Sequence, residues 1–156
     1  MTDLYLMGEV FYFLSKVRYD IGKIAAGNKR LERGKMFILI IDKARNLLTI
    51  RLKRNFGKED AIELYAEIKD IVNELKPGFT LVNDIRYLEE MDTATTYYIK
   101  KTQDLLNEKG VALIVRIIPD PSKDIGFNIM SLIHYRKDVK IITCETLEEA
   151  KKHLYK

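Results

Sequence analysis

The order of hydrophobic patterns predicts an α/β fold: a mixed, largely parallel sheet of about five strands that opens with an antiparallel hairpin and is covered by helices. Three observations carry this expectation. Behind an N-terminal amphipathic stretch, apolar runs of strand type alternate with helical stripes in the order β-β-α-β-α-β-α-β-α, which sets consecutive strands parallel with helices crossing between them. The chain has 156 residues, enough for one domain with a real core. Its composition, 47% hydrophobic and 32% charged with three prolines and eight glycines, is that of a folded globular protein.

Leu6, Val10, Phe13, Val17, Ile21 and Ile24 recur at spacings of three and four, so residues 1–28 read as an amphipathic helix ending at Gly27-Asn28. Residues 29–35 form a basic linker, and residues 36–156 form the α/β domain. Met36 to Ile41 is a continuous apolar run, Asp42 to Asn46 a turn, and Leu48, Ile50 and Leu52 alternate with Thr49, Arg51 and Lys53; this is a hairpin whose second strand has one wet face. Ala61, Leu64, Tyr65, Ile68, Ile71, Val72 and Leu75 mark a helix closed by Pro77-Gly78. A strand over Phe79–Val82, a loop from Asp84, a helix over 93–109 ending at Gly110, and a central strand over Val111–Ile118 come next. Ile125, Ile129, Leu132 and Ile133 suggest a further helix, and Val139–Cys144 a strand. Thr146 and Glu149 set a capping box before a last helix.

Several chemistries are excluded by what the residues do not offer. His134 and His153 stand apart, neither with a second histidine or a cysteine at ligand spacing, so no metal site is expected. The glycines fall singly, with neither G-x-G-x-x-G nor G-x-x-x-x-G-K-[ST], so no nucleotide cradle and no cofactor are expected. His134 beside Tyr135 and Arg136 reads as a surface or half-buried residue rather than a general base. Cys144, the one cysteine, reads as a buried structural thiol, and Tyr97 and Tyr98 as packing residues of a core-facing helix. The chain is therefore expected not to be an enzyme.

Net charge is +4, distributed as about +8 over residues 1–58 and −4 over the rest. The basic positions Lys29, Arg30, Arg33, Lys35, Arg51, Lys53 and Arg54 read as solvated surface charge, so no nucleic-acid partner is expected; an affinity falling steeply with salt would be its mark. No apolar run reaches the roughly 20 residues that cross a bilayer. The start Met-Thr-Asp, with Glu9, Lys16, Arg18 and Asp20 inside the apolar pattern, is unlike a secretory signal, and together with the lone cysteine it places the chain in the cytoplasm. The N-terminal stripe requires burial, against the domain, another protein or a second copy as a homodimer.

One segment stands apart, Asp84-Ile-Arg-Tyr-Leu-Glu-Glu-Met-Asp-Thr-Ala-Thr-Thr-Tyr-Tyr, at the carboxyl end of a strand where parallel sheets collect binding sites. With Met91-Asp92-Thr93-Ala94-Thr95 as a turn, Gly110 before the next strand and the ending Thr-Cys-Glu-Thr-Leu-Glu-Glu-Ala-Lys-Lys-His-Leu, residues 36–156 resemble the STAS family, the sulfate-transporter and anti-sigma-factor-antagonist domains. The likeness is to its SpoIIAA-like (STAS/SEC14-type) branch. In that family the turn reads Met-Asp-Ser-Ser-Gly, and its first hydroxyl receives a phosphate in phosphorylated members. The resemblance carries this role onto Thr93, while Ala94 and Thr95 depart from the Ser-Gly pair.

The resemblance and the position of this segment together imply a regulatory module that docks a protein partner or small ligand through the strand-to-helix loop from Asp84 to Thr96. Thr93, Asp92, Thr95, Asp84 and Glu90 are the candidate partner-binding or phospho-switch residues. A plainer reading leaves Asp92 or Thr93 as a helix cap. The alternative function, which the SEC14 label implies, is a carrier of lipid or another small apolar ligand, and it requires a large cavity between sheet and helices.

Overall fold

The computed structural model describes residues 34–118, 120 and 135–155. The helices expected over residues 1–28 and 125–133, the basic linker up to residue 33, and His134 lie outside them. Residues 36–156 form one compact unit.

Strand β1 (Phe37–Asp42) and strand β2 (Leu47–Phe56) make the expected hairpin, antiparallel in a register that sets Phe37 opposite Leu52 and Asp42 opposite Leu47. Its turn works because Asn46 takes a left-handed φ of 53°, which asparagine tolerates better than most residues. The Asn46 amide then clamps Lys76, accepting from its N–H at 2.9 Å and donating to its carbonyl at 3.0 Å. Helix α1 (Lys58–Ile71) starts after Gly57, whose N–H donates to the Asp60 carboxylate at 2.9 Å, and runs into a 3-10 turn over Val72–Glu74. Strand β3 (Thr80–Met91), helix α2 (Thr96–Glu108), strand β4 (Leu113–Ile117), strand β5 (Lys140–Cys144) and helix α3 (Leu147–Leu154) complete the described elements.

The sheet order is β1-β2-β3-β4-β5, with only the β1–β2 pair antiparallel. Strand alternation sorts side chains onto two faces. One carries Leu48, Ile50, Leu52, Leu81 and Ile114 against Ala61, Leu64 and Ile68 of α1 and Ile99 and Leu106 of α2. The other carries Val82, Val115, Ile117 and Cys144 against Ala150 of α3. Gly110 ends α2 at φ +92°, and a Cβ there would come within 3.0 Å of the Pro77 ring, so glycine is required for the turn and for the close approach. Thr146 caps α3 by accepting from the Glu149 N–H at 3.2 Å, while the Glu149 carboxylate takes the N–H of Glu145, one residue before the expected partner.

The loop expected from Asp84 is corrected by the structure. Residues 84–91 continue β3, paired in parallel with β2 out to Phe56↔Met91, so the connection to α2 is only Asp92 and the short turn after it. The local composition, Arg-Tyr-Leu-Glu-Glu, looks like a solvated loop because this end of the ribbon is half wet. What holds it extended is a neighbouring strand, with register shifts between Arg51 and Lys53 and between Arg54 and Asn55. β3 outruns β4, whose pairing stops at Asp84↔Ile117.

Candidate functional site

At the carboxyl end of β3 the chain turns sharply into α2. Asp92, with extended φ and ψ, caps a 3-10 turn over Thr93–Thr95 by accepting the Ala94 N–H at 2.9 Å. The Thr95 hydroxyl donates to the Asp92 carbonyl at 2.6 Å, and the Asp92 N–H reaches the Phe56 carbonyl at 3.2 Å, which ties the turn to β2. Short polar side chains suit this position because they satisfy N–H groups that a helix start leaves without partners.

The five candidates separate here. Asp92, Thr93 and Glu90 are exposed and close in sequence at one edge. Thr95 is fully buried with its hydroxyl engaged by the Asp92 carbonyl, and so holds the turn together. Asp84 is 2% exposed and lies in mid-strand. The capping reading holds for Asp92, whereas the Thr93 main chain contributes a carbonyl that accepts the Thr96 N–H.

Asp84 instead organises a buried ion cluster. Its carboxylate accepts from Arg51 Nε at 2.8 Å and from Arg86 Nε and Nη2, both at 2.9 Å. The Arg86 main-chain N–H adds a fourth bond at 3.2 Å. Burial pushes this carboxyl up, but the Arg86 hydrogen bonds and the charges of Arg51 and Arg86 outweigh it and leave it below the ordinary aspartate value. A depressed folded-state pKa stabilises the protein above the unfolded value and loses that contribution as pH falls through the folded one. Acid titration followed by thermal melts should therefore show wild type losing stability below about pH 4 more steeply than Asp84→Asn. Parallel curves would mean that Asp84 contributes nothing to acid sensitivity.

Both guanidinium groups flank the Tyr87 ring, at 5.3 Å for Arg51 and 5.2 Å for Arg86, and the ring is 52% exposed. Sequence reasoning missed this arrangement. The only signal was opposite charge at Asp84 and Arg86, two apart, and nothing in the sequence registers Arg51 against them.

On α2, Tyr98 packs against the core as expected, but Tyr97 is 58% exposed, a correction to the expectation that both pack. The Lys101 ammonium sits 4.8 Å from the Tyr97 ring and 5.7 Å from that of Tyr65, and hydrogen bonding with Tyr97 holds it above the ordinary lysine pKa. The amphipathic geometry of α2 explains the split, since consecutive residues point about 100° apart. Cys144 is buried and unpaired, and burial pushes its thiol up, away from reactivity. His153 is half-buried on α3. Among the described residues no group of three His, Cys, Asp or Glu side chains could hold a metal, and no helix is long and apolar enough to cross a membrane.

Between the sheet and α2 lies a cavity of about 40 Å³, bordered by Asn83, Thr102, Gln103, Arg116 and Tyr135 among apolar side chains. Arg116 is 1% exposed, so the lining carries a buried cation. Such a space suits a few waters, whereas pockets for drug-sized ligands run to several hundred Å³.

No protein-family model matches the chain, and no curated protein matches it. Solved structures do. An uncharacterised protein with a SpoIIAA-like fold from Shewanella loihica PV-4 superposes with a TM-score of 0.61 at 11% identity, over 79% of this chain and 97% of that one. The Bacillus cell fate determinant SpoIIAA in its phosphorylated form gives 0.54 at 18% identity, over 75% and 97%. A putative anti-sigma factor antagonist from Thermotoga maritima gives 0.52 at 16% identity, over 78% and 96%. The chain adopts the SpoIIAA-like, STAS-type α/β fold.

Proposed function

We propose that this chain is a non-enzymatic, cytoplasmic regulatory module that docks a protein partner through the turn at Asp92–Thr93 and the exposed start of α2. One observation carries the reading: Thr93 is exposed on a turn whose backbone is fixed by neighbours on both sides, at the carboxyl end of a parallel strand. The fold supports it, because SpoIIAA itself exists in a phosphorylated form and other proteins of this shape are anti-sigma factor antagonists. Thr93 is the acceptor hydroxyl in this reading. A phosphate there adds nearly two negative charges to a turn that already carries Asp92 and Glu90, and so turns an acidic partner away more strongly. The carrier alternative draws no support from a cavity of about 40 Å³.

The test separates docking from capping. Thr93→Val removes the hydroxyl at nearly constant volume, Thr93→Glu adds charge, and Asp92→Ala removes the cap. Loss of a cap costs about 1 kcal/mol, a small part of a domain's stability. Proteins retained from native lysate by wild type should fall at least several-fold in the Thr93→Glu sample, while the melting temperature stays within a cap's effect. Identical retained proteins in wild type and all three variants would leave the turn as structure alone.

A further inference from the structure

The tail of β3 holds more residues than the strand beside it. Between Arg51 and Lys53 β2 advances two residues while β3 advances three, from Asp84 to Tyr87; between Arg54 and Asn55 β2 advances one while β3 advances two, from Leu88 to Glu90. Each shift is a bulge that leaves one extra residue on β3. Their joint effect is on phase. A regular strand turns every second side chain to the same face, which would send Leu88 away from the face of Ile85. With the bulges, Ile85, Leu88 and Met91, three apart in sequence, all join the core that α1 and α2 cover. The second bulge is held against local strain. Arg54 stands at this shift with φ +51°, the left-handed region, which costs a residue with a Cβ and which glycine adopts freely; its side chain is exposed. What opposes that strain is slight: Met91 is half-buried opposite Phe56, and the Asp92 N–H reaches the Phe56 carbonyl at 3.2 Å.

Strain on one side, and a half-buried methionine with one main-chain hydrogen bond on the other, are contributions of similar size, so two registers lie close in free energy. Arg54, Asn55, Glu89 and Glu90 are all exposed, and polar strand ends specify register weakly. We infer that the second bulge is a slip point. In the slipped register Asn55 pairs with Glu89 and Phe56 with Glu90, Arg54 relaxes to an extended backbone, and Met91 passes from the strand to the turn that carries Thr93. The Asp92 N–H then leaves the Phe56 carbonyl, and the turn lengthens by one residue. The bulged register pins Thr93 and the slipped one frees it, a two-state element that a partner or a modification at the turn biases. This last consequence rests on the docking role of Thr93; the slip itself does not.

Native-state amide exchange of the full chain, read by NMR at Asp92 and at Ile50 in the middle of β2, tests the slip. The ratio of the two rates cancels changes in global stability. Arg54→Gly relieves the strain of the bulged register and should lower the Asp92-to-Ile50 ratio about fivefold, whereas Arg54→Val, whose branched Cβ resists a positive φ, should raise it about fivefold. Deletion of Glu89 removes the extra residue and builds in the straight register. On that background the order of the two variants should reverse, because valine suits extended backbone better than glycine does. Thr93→Val should leave the ratio unchanged, so the two readings fail separately: proteins retained from lysate report on docking, and exchange reports on the slip. Equal ratios in wild type, Arg54→Gly and Arg54→Val overturn the inference. A Glu89 deletion that cannot fold overturns it as well, since the straight register is then inaccessible.

Discussion

Asp84→Ala is expected to destabilise the protein by about 3 kcal/mol, because it removes the carboxylate shared by two arginines that are only about a fifth exposed. The figure sits at the low end for a broken buried ion pair, since that residual exposure lets water reach both guanidinium groups. Urea unfolding should show a lower midpoint at unchanged slope. The companion variant is the triple replacement Arg51→Met, Asp84→Leu and Arg86→Met, which removes all three charges together. It should come out close to wild type in stability and yet lose the order around Tyr87. If the triple variant is as unstable as Asp84→Ala, the cluster serves the fold and not the placing of Tyr87.

Phe56→Ala should cost about 3 to 5 kcal/mol, the range for emptying a buried aromatic site. Phe56 is 1% exposed, meets Phe37 edge-on at 6.4 Å, and stands opposite Met91 at the end of the ribbon. Its carbonyl also receives the Asp92 N–H, so a slackened β2 end would loosen the turn that presents Thr93. Phe56→Leu keeps most of the volume and should cost less than about 1.5 kcal/mol. Thermal melts of both variants, with amide exchange at Asp92 as a local probe, check the coupling. An unchanged exchange rate at Asp92 in Phe56→Ala would show that the turn holds itself.

Local pattern was enough for most elements, and the reasons are particular. The hairpin was legible because Leu48, Ile50 and Leu52 alternate with polar residues, and α1 because Ala61, Leu64 and Ile68 recur at helical spacing; all six are buried where that spacing requires. Thr146 announced α3, and Gly110 the end of α2. The turn at Asp92 could be found because a strand pattern, a short polar run and a helical stripe succeed one another there.

The tail of β3 was not legible, because residues 85–91 carry no clean alternation and gain their extended form from β2 alongside, a partner more than thirty residues away in sequence. For the same reason Asp84 looked like a loop carboxylate. Its burial follows only once the parallel register sets it opposite Arg51, with Arg86 two residues on. Tyr97 and Tyr98 differ in exposure through helix phase against the sheet, which adjacent residues of one type do not encode. Sequence by itself therefore determined the described elements and their order, since those depend on short-range periodicity and capping. Tertiary structure alone decided which of the polar residues face water, because burial of a charge is a property of cross-strand register and of the partners it brings within about 3 Å.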